Sequence, residues 1–286
     1  MAHTNISNYS IYRTVINQVM EGTENLPSLP SLTLKIRRAI HDPNATAPKL
    51  AALIEQDPAL CAMLMKYVSS PMYRTRQQPT TLEGVISILG MGTVDNVIML
   101  HSVKSLFIMD KPQLKSLYTL AWKRLITKAA TSTVVAEILK FHPADQIMIS
   151  SLLTEIGTLA VLSALKDSEY IPDEETYFEL CRQYSKSLGV ILLKKWAVDE
   201  SYVDILKQIG EWNKTPEPDL NAIDVINLGL YQAVVYLSPA ANLPPITDLV
   251  AYRKLSEEYN EVDGYQRLKV LLDKQERLET VISSLK

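Results

Sequence analysis

The sequence predicts an all-α protein, folded as an orthogonal bundle of many helices. Along nearly the whole chain, apolar residues recur at steps of three and four, the spacing of amphipathic helices. The strict apolar–polar alternation of half-buried strands is nearly absent. Caps and prolines also divide the chain at short intervals, which favours short helices packed at steep angles over a long up-and-down bundle.

The N-terminal half is predicted to contain a first helix over residues 1–21 and a helical subdomain over residues 22–110. The first helix rests on apolar residues at helical spacing, namely Ile11, Val15, Ile16 and Val19. Further apolar residues at helical spacing mark the next two helices, namely Leu32, Ile36, Ile40, Leu50, Leu53 and Ile54.

Three local signals punctuate this subdomain. Asp57 suits an N-cap and Pro58 the first helical position, so they predict a helix start. Thr80 and Glu83 have the spacing of a capping box before another apolar helix. The glycine pair of residues 90–92 predicts a break in that helix.

The C-terminal half is predicted to contain a helical core over residues 111–238 and a helical extension over residues 239–286. Predicted helices in the core cover residues 114–139, 143–165, 174–184, 188–196 and 200–212. The extension carries an amphipathic pattern, formed by Leu268, Leu271, Leu272, Leu278 and Ile282. We expect this face to pack onto the core. The alternative is the seam of a homodimer, although the run is short for a coiled coil.

Charge and composition limit the classes of partner and compartment. The formal net charge is -3, so no global field attracts the protein to nucleic acid or to an anionic membrane. No apolar run reaches the roughly 20 residues of a membrane span, and the N-terminus lacks a secretory pattern. The cysteines, Cys61 and Cys181, have no partner at metal-ligand spacing. We therefore expect a cytoplasmic protein with reduced thiols.

Several motifs, in this order, resemble the HDOD domain, a helical relative of the HD and HD-GYP metal-dependent phosphohydrolases of bacterial signalling proteins. They are LPSLP at residues 26–30, DPAL at 57–60, the loop through Tyr73, ILG at 88–90, Trp122, SLLTEIG at 151–157 and GVILLKKW at 189–196. The resemblance covers roughly residues 22–238. It implies an HD-like core in the C-terminal half and a regulatory role, usually without demonstrated catalysis.

The resemblance also implies that the metal ligands of the catalytic relatives are replaced in this chain. Their first histidine falls near Arg124, their His-Asp pair on Thr154 and Glu155, and a later histidine on Ser185. Their remaining ligands fall near residues 209–210 and Leu230. Only Glu155 keeps a metal-binding group, and one carboxylate does not make a site that needs several ligands. We expect a degenerate cleft with no metal, cofactor or catalytic residue, in which Glu155 pairs with Arg124.

A second candidate for binding is the loop of residues 69–79. It combines Tyr73 with Arg74 and Arg76, a mixture of aromatic ring and guanidinium that suits recognition of a phosphate, a base or a carboxylate. The alternative is a solvated loop whose Tyr73 packs at the domain junction.

Three functions follow from these observations. The first is a non-catalytic signalling module that binds a protein partner, or a nucleotide messenger such as a cyclic dinucleotide, through the degenerate cleft. The second is a metal-dependent phosphohydrolase with an atypical site, which would rest on the fold alone. The third is a structural dimerisation module that uses the C-terminal helix.

Overall fold

Helices dominate the fold in the computed structural model. The structure describes residues 2–22, 26–69, 73, 79–106, 111–168, 170–213, 218–238 and 242–285. These residues form fourteen α-helices, one 3-10 turn at Ile246–Asp248 and no strand beyond an isolated bridge between Val262 and Leu268. The predicted all-α class is therefore confirmed.

The helices and their bounds are α1 (Ala2–Glu21), α2 (Ser31–Ile40), α3 (Ala47–Ile54), α4 (Pro58–Val68), α5 (Leu82–Leu106), α6 (Pro112–Ile138), α7 (Ala144–Thr154), α8 (Ile156–Ala164), α9 (Glu174–Lys195), α10 (Glu200–Gln208), α11 (Ala222–Leu237), α12 (Val250–Arg253), α13 (Lys269–Leu272) and α14 (Gln275–Leu285).

The contacts between these helices divide the chain into two compact units. The smaller unit covers Ser28–Ile108 and contains α2 to α5. The larger unit joins Met1–Pro27 to Met109–Lys286, so α1 and the C-terminal helices belong to the same unit as α6 to α11. The four-part division predicted from the sequence stays a prediction.

The smaller unit follows its local signals with one correction. The Asp57 carboxylate accepts hydrogen bonds from the backbone N–H groups of Ala59 and Leu60, both at 3.0 Å, so the predicted cap of α4 is confirmed. The expected glycine break is a kink within α5 at Gly90, whose φ is +77°. The predicted capping box at Thr80 is wrong, because the hydroxyl of the next residue, Thr81, accepts from the N–H of Gly84 at 3.2 Å.

The larger unit is built around α6, which packs against α7, α8, α11, α13 and α14. The C-terminal helix α14 is attached to α6 by the Arg277 guanidinium, which donates to both Glu137 carboxylate oxygens at 2.6 and 2.9 Å. Leu268, Leu271 and Leu278 are buried. The prediction that this apolar face packs onto the core is confirmed.

Three predicted helix boundaries in the larger unit are wrong. The helix expected over residues 200–212 ends at Gln208, because the backbone is extended at Ile209. The helix expected over residues 143–165 is divided into α7 and α8 at Glu155. The helices expected over residues 174–184 and 188–196 are one continuous helix, α9. Gly189 lies inside α9, where its neighbours leave little room for a side chain. A Cβ at this position would lie 2.9 Å from Leu206 Cδ2 and 3.4 Å from the backbone nitrogen of Gly157. The glycine thus serves close packing and does not end the helix.

Two segments have the length and composition of a membrane-spanning helix, α5 and the stretch Gln146–Ala164. In α5, 50% of the most apolar 18-residue window is buried within the protein. In Gln146–Ala164, 83% of the corresponding window is buried. Because the core helices of a globular protein pass the same test, this finding is weak evidence for a membrane span.

Candidate functional site

A cavity of about 290 Å³ opens in the larger unit where three helical segments meet. Each segment lines it with residues three, four or seven positions apart, which lie on one helical face. The lining residues are Ala121, Arg124 and Lys128 of α6, Glu155 and Thr158 at the junction of α7 and α8, and Phe178, Cys181, Arg182 and Ser185 of α9. The cavity therefore contains three of the four residues predicted for the degenerate cleft.

The carboxylate of Glu155 is paired with Lys128. The Lys128 ammonium donates to Glu155 Oε1 at 2.6 Å, and the two side chains are only 12% and 16% exposed. The predicted pairing of Glu155 with Arg124 is wrong. Lys128 lies one turn further along the same face of α6, so its ammonium takes the position expected for the guanidinium.

Arg124 is directed instead toward α9 and the end of α11. Its guanidinium carbon lies 4.7 Å from the centre of the Phe178 ring, a cation–π arrangement. Its Nη1 is 3.4 Å from Ser238 Oγ, a long hydrogen bond. No carboxylate among the described residues pairs with this guanidinium. Its charge is thus held in place without an opposite charge beside it.

Arg182 and Ser185 occupy the α9 wall. Arg182 is exposed and makes no hydrogen bond or ion pair with another residue that the structure describes. The Ser185 hydroxyl likewise has no hydrogen-bond partner within the described ranges. Sequence reasoning missed both Arg182 and Lys128. The available signal was spacing. Arg182 lies three residues before Ser185, and Lys128 lies four residues after Arg124.

The cysteine in the cavity wall is buried. Burial raises the pKa of the Cys181 thiol to about 12, and the nearby cations Lys128 and Arg124 only partly oppose that effect. The neighbouring Tyr177 hydroxyl donates to the Thr158 carbonyl at 2.9 Å, and burial raises its pKa as well. A buried thiol with a raised pKa is a weaker nucleophile than an exposed one.

The shape of the cavity depends on Gly157, in the first turn of α8. A Cβ at this position would overlap the backbone carbonyl of Ser185, so α8 and α9 could not approach as closely with any other residue. Ser185 is thereby fixed against α8, beside Thr158. The glycine of the SLLTEIG motif therefore sets the distance between two walls of the site.

The remaining positions carried over from the catalytic relatives lie outside the cavity lining. Thr154 donates its hydroxyl to the Ser151 carbonyl at 2.6 Å, and Gly210 donates its N–H to Asn227 Oδ1 at 2.9 Å. Neither they nor Ile209 and Leu230 line the cavity.

The donor groups of this cavity do not fit the metal that the phosphohydrolase fold implies. A catalytic metal centre needs several imidazole, thiolate or carboxylate ligands. The cavity offers one carboxylate, which an ammonium already occupies, one buried thiol and three cations that would repel the ion. Within the described residues, no three histidine, cysteine, aspartate or glutamate side chains lie together as a metal site.

Of the predicted binding loop of residues 69–79, the structure describes only Ser69, Tyr73 and Pro79. The Tyr73 ring is half-buried against the core of the smaller unit, 5.6 Å from the ring of Tyr67. Arg74 and Arg76 lie outside the described residues. Recognition by this loop therefore stays a prediction.

A second cavity, of about 480 Å³, lies beside the exposed rings of Tyr236 and Tyr265. The cation in its lining, Arg267, already pairs with the Asp263 carboxylate at 2.7 Å and stacks on Tyr265. It therefore lacks the surplus positive charge of the first cavity.

Comparison with known proteins supplies the context for these observations. The family model of the HDOD domain matches the sequence over residues 26–211, which is more than half of the chain. An uncharacterised protein of Treponema pallidum (strain Nichols) is 20% identical over 198 residues, and the match covers 66% of this chain but only 38% of that relative. Whatever the longer protein does as a whole, this chain corresponds to part of it.

Three solved structures share the fold over nearly the whole chain. A Shewanella amazonensis SB2B protein named as a candidate metal-dependent phosphohydrolase has a TM-score of 0.72 at 17% identity, with 96% of this chain and 100% of that one covered. A Geobacter sulfurreducens HDOD domain protein has a TM-score of 0.63 at 16% identity, with 95% and 96% covered. A Marinobacter aquaeolei VT8 protein named as a candidate signal transduction protein has a TM-score of 0.60 at 16% identity, with 97% and 66% covered. At these identities the likeness establishes the fold alone.

Proposed function

The chain belongs to the HDOD domain family, and on that premise we propose that it is a non-catalytic signalling module whose cavity between α6, α8 and α9 binds a ligand or a protein partner. The candidate ligands are a nucleotide messenger and an acidic segment of a partner protein. Both carry the negative charge that the cavity would accept. On this proposal the module acts in the cytoplasm through binding and not through turnover.

One observation carries the proposal. The cavity that the sequence resemblance equates with the metal cleft of the catalytic relatives is lined by Arg124 and the Lys128–Glu155 ion pair. The ammonium neutralises the one carboxylate that could ligate a metal, and the guanidinium adds positive charge beside it. A site of this kind supports anion binding and opposes the capture of a divalent cation.

The proposal is tested by assaying hydrolysis of bis(p-nitrophenyl) phosphate by the purified chain with manganese, iron and zinc supplied in turn. We expect no rate above that of the free metal ions. The matched variant is Glu155→Gln, which removes the remaining carboxylate and should leave this background unchanged. Metal-dependent hydrolysis that Glu155→Gln abolishes would overturn the proposal and establish an atypical phosphohydrolase.

A further inference from the structure

The geometry points to a small phosphomonoester, such as a mononucleotide, as the ligand of this cavity. This inference rests on the proposed function, because it names the ligand of the same site. It assigns the phosphate to the guanidinium groups of Arg124 and Arg182 and to the hydroxyl of Ser185.

Charge is the first argument. Three cationic side chains line the cavity against one carboxylate, which leaves a surplus of two positive charges. A phosphomonoester carries roughly 1.5 to 2 negative charges at pH 7, so one such group matches the surplus. A carboxylate ligand would neutralise only half of it.

Donor geometry is the second argument. A guanidinium presents a planar fork of N–H groups that matches two phosphate oxygens at once. The guanidinium carbon of Arg124 lies 4.7 Å from the centre of the Phe178 ring, and this contact restricts the side chain before an anion binds. Arg182 and Ser185 lie three residues apart on α9 and have no hydrogen-bond partner among the described residues, so both are available to the same anion.

Size is the third argument. The cavity volume of about 290 Å³ lies just below the range of about 300–1,000 Å³ found for small-molecule sites. A cyclic dinucleotide carries two bases, two riboses and two phosphates, so half of it would remain outside. We therefore favour a mononucleotide over the cyclic dinucleotide that the family resemblance suggested.

The inference is tested by isothermal titration calorimetry on the full chain with four probes: adenosine 5′-monophosphate, inorganic phosphate, adenosine and cyclic di-GMP. We expect the monophosphate and inorganic phosphate to bind, adenosine to show no heat of binding, and cyclic di-GMP to bind more weakly than the monophosphate. Tighter binding of the cyclic dinucleotide, or binding of adenosine alone, would overturn the inference.

Variants then assign the contacts. Arg124→Gln and Arg182→Gln should each weaken monophosphate binding about ten- to hundredfold, since each removes a charge-assisted hydrogen bond. Arg38→Gln is the matched control, because Arg38 is an exposed arginine of the smaller unit. The affinity of this variant for the monophosphate should equal that of the parent chain. Arg182 is exposed, so its substitution leaves the fold intact even if Arg124→Gln does not. Unchanged affinity in Arg182→Gln would contradict the assignment.

Failure of this inference is distinguishable from failure of the proposed function. If none of the four probes binds and no phosphodiester is hydrolysed, the phosphomonoester is wrong while the non-catalytic module stands. If a phosphopeptide binds where the monophosphate does not, the small-molecule assignment is overturned in favour of a protein partner. Metal-dependent turnover would overturn both.

Discussion

Two lysine–carboxylate pairs in the larger unit have the same chemistry in different surroundings. The Lys254 ammonium lies 2.7 Å from Asp224 Oδ2, with side chains 10% and 0% exposed. The Lys128 ammonium lies 2.6 Å from Glu155 Oε1, with side chains 12% and 16% exposed. The first pair stands at the N-terminus of α11, and the second lines the cavity.

The surroundings decide what each pair does. Asp224 is part of the capping box of α11, where it accepts from the backbone N–H of Asn221 at 3.1 Å, and Lys254 also donates to the Asp219 carbonyl at 3.0 Å. Protein atoms thus use the polar groups of this pair. Glu155 and Lys128 instead border the open space of the cavity, which Arg124 and Arg182 also line. One pair stabilises a helix end, and the other sets the charge of a site.

The largest expected effect comes from Lys254→Met, which removes the ammonium from the fully buried Asp224. An uncompensated buried carboxylate costs about 3–5 kcal/mol, so the free energy of unfolding should fall by that amount. Lys128→Met is the comparison, because Glu155 remains next to the open cavity in this variant. Its free energy of unfolding should fall by about 1–2 kcal/mol. Denaturant unfolding measures both variants. Equal losses would show that the two surroundings do not differ as described.

A smaller effect is expected from Gly157→Ala, which tests whether the cavity walls depend on close backbone approach. The new methyl group would overlap the Ser185 carbonyl, so α8 and α9 must separate at a cost of about 1–3 kcal/mol. Gly92→Ala in α5 is the matched control, since nothing lies within 4 Å of its Cβ position and it should be neutral or stabilising. Thermal unfolding compares the two, and a stable Gly157→Ala protein would contradict the packing argument.

The smallest effect at neutral pH is expected at Cys181. Burial raises the pKa of its thiol from 9.0 to about 12, so the folded state holds this proton more tightly than the unfolded state does. The resulting stability is present below pH 9 and is lost as the pH rises toward 12. Cys181→Ala should therefore have a shallower alkaline loss of stability than the parent, as followed by urea unfolding at increasing pH. An identical slope in both proteins would show that the thiol is not buried as described.

Two kinds of signal in the sequence predicted the fold and part of the candidate site. Helical periodicity and the family motifs identified the all-α fold and brought Arg124, Glu155 and Ser185 to one cavity. Lys128 and Arg182 were missed because their spacing to Arg124 and Ser185 indicates a shared helix face but does not show that this face lines a cavity. Their role depends on the rotational phase of α6 and α9 around the same space, which only the tertiary structure supplies.

The break at Glu155 was also missed, for a related reason. The surrounding residues carry the apolar pattern of one helix, and no proline interrupts it. Thr154 is of a type that caps helices, but its hydroxyl donates to the Ser151 carbonyl instead. The interruption accompanies the close approach of Gly157 to α9 and the ion pair with Lys128, which are contacts between distant parts of the chain. Tertiary packing has overridden local preference here.

The most direct test of the non-catalytic account is the metal content of the chain purified from medium supplemented with manganese, iron and zinc. Elemental analysis should find far less than one metal ion per chain, because the cleft offers cations and a neutralised carboxylate in place of ligands. Stoichiometric metal that is lost in Glu155→Ala would contradict the account and identify the cavity as a metal centre.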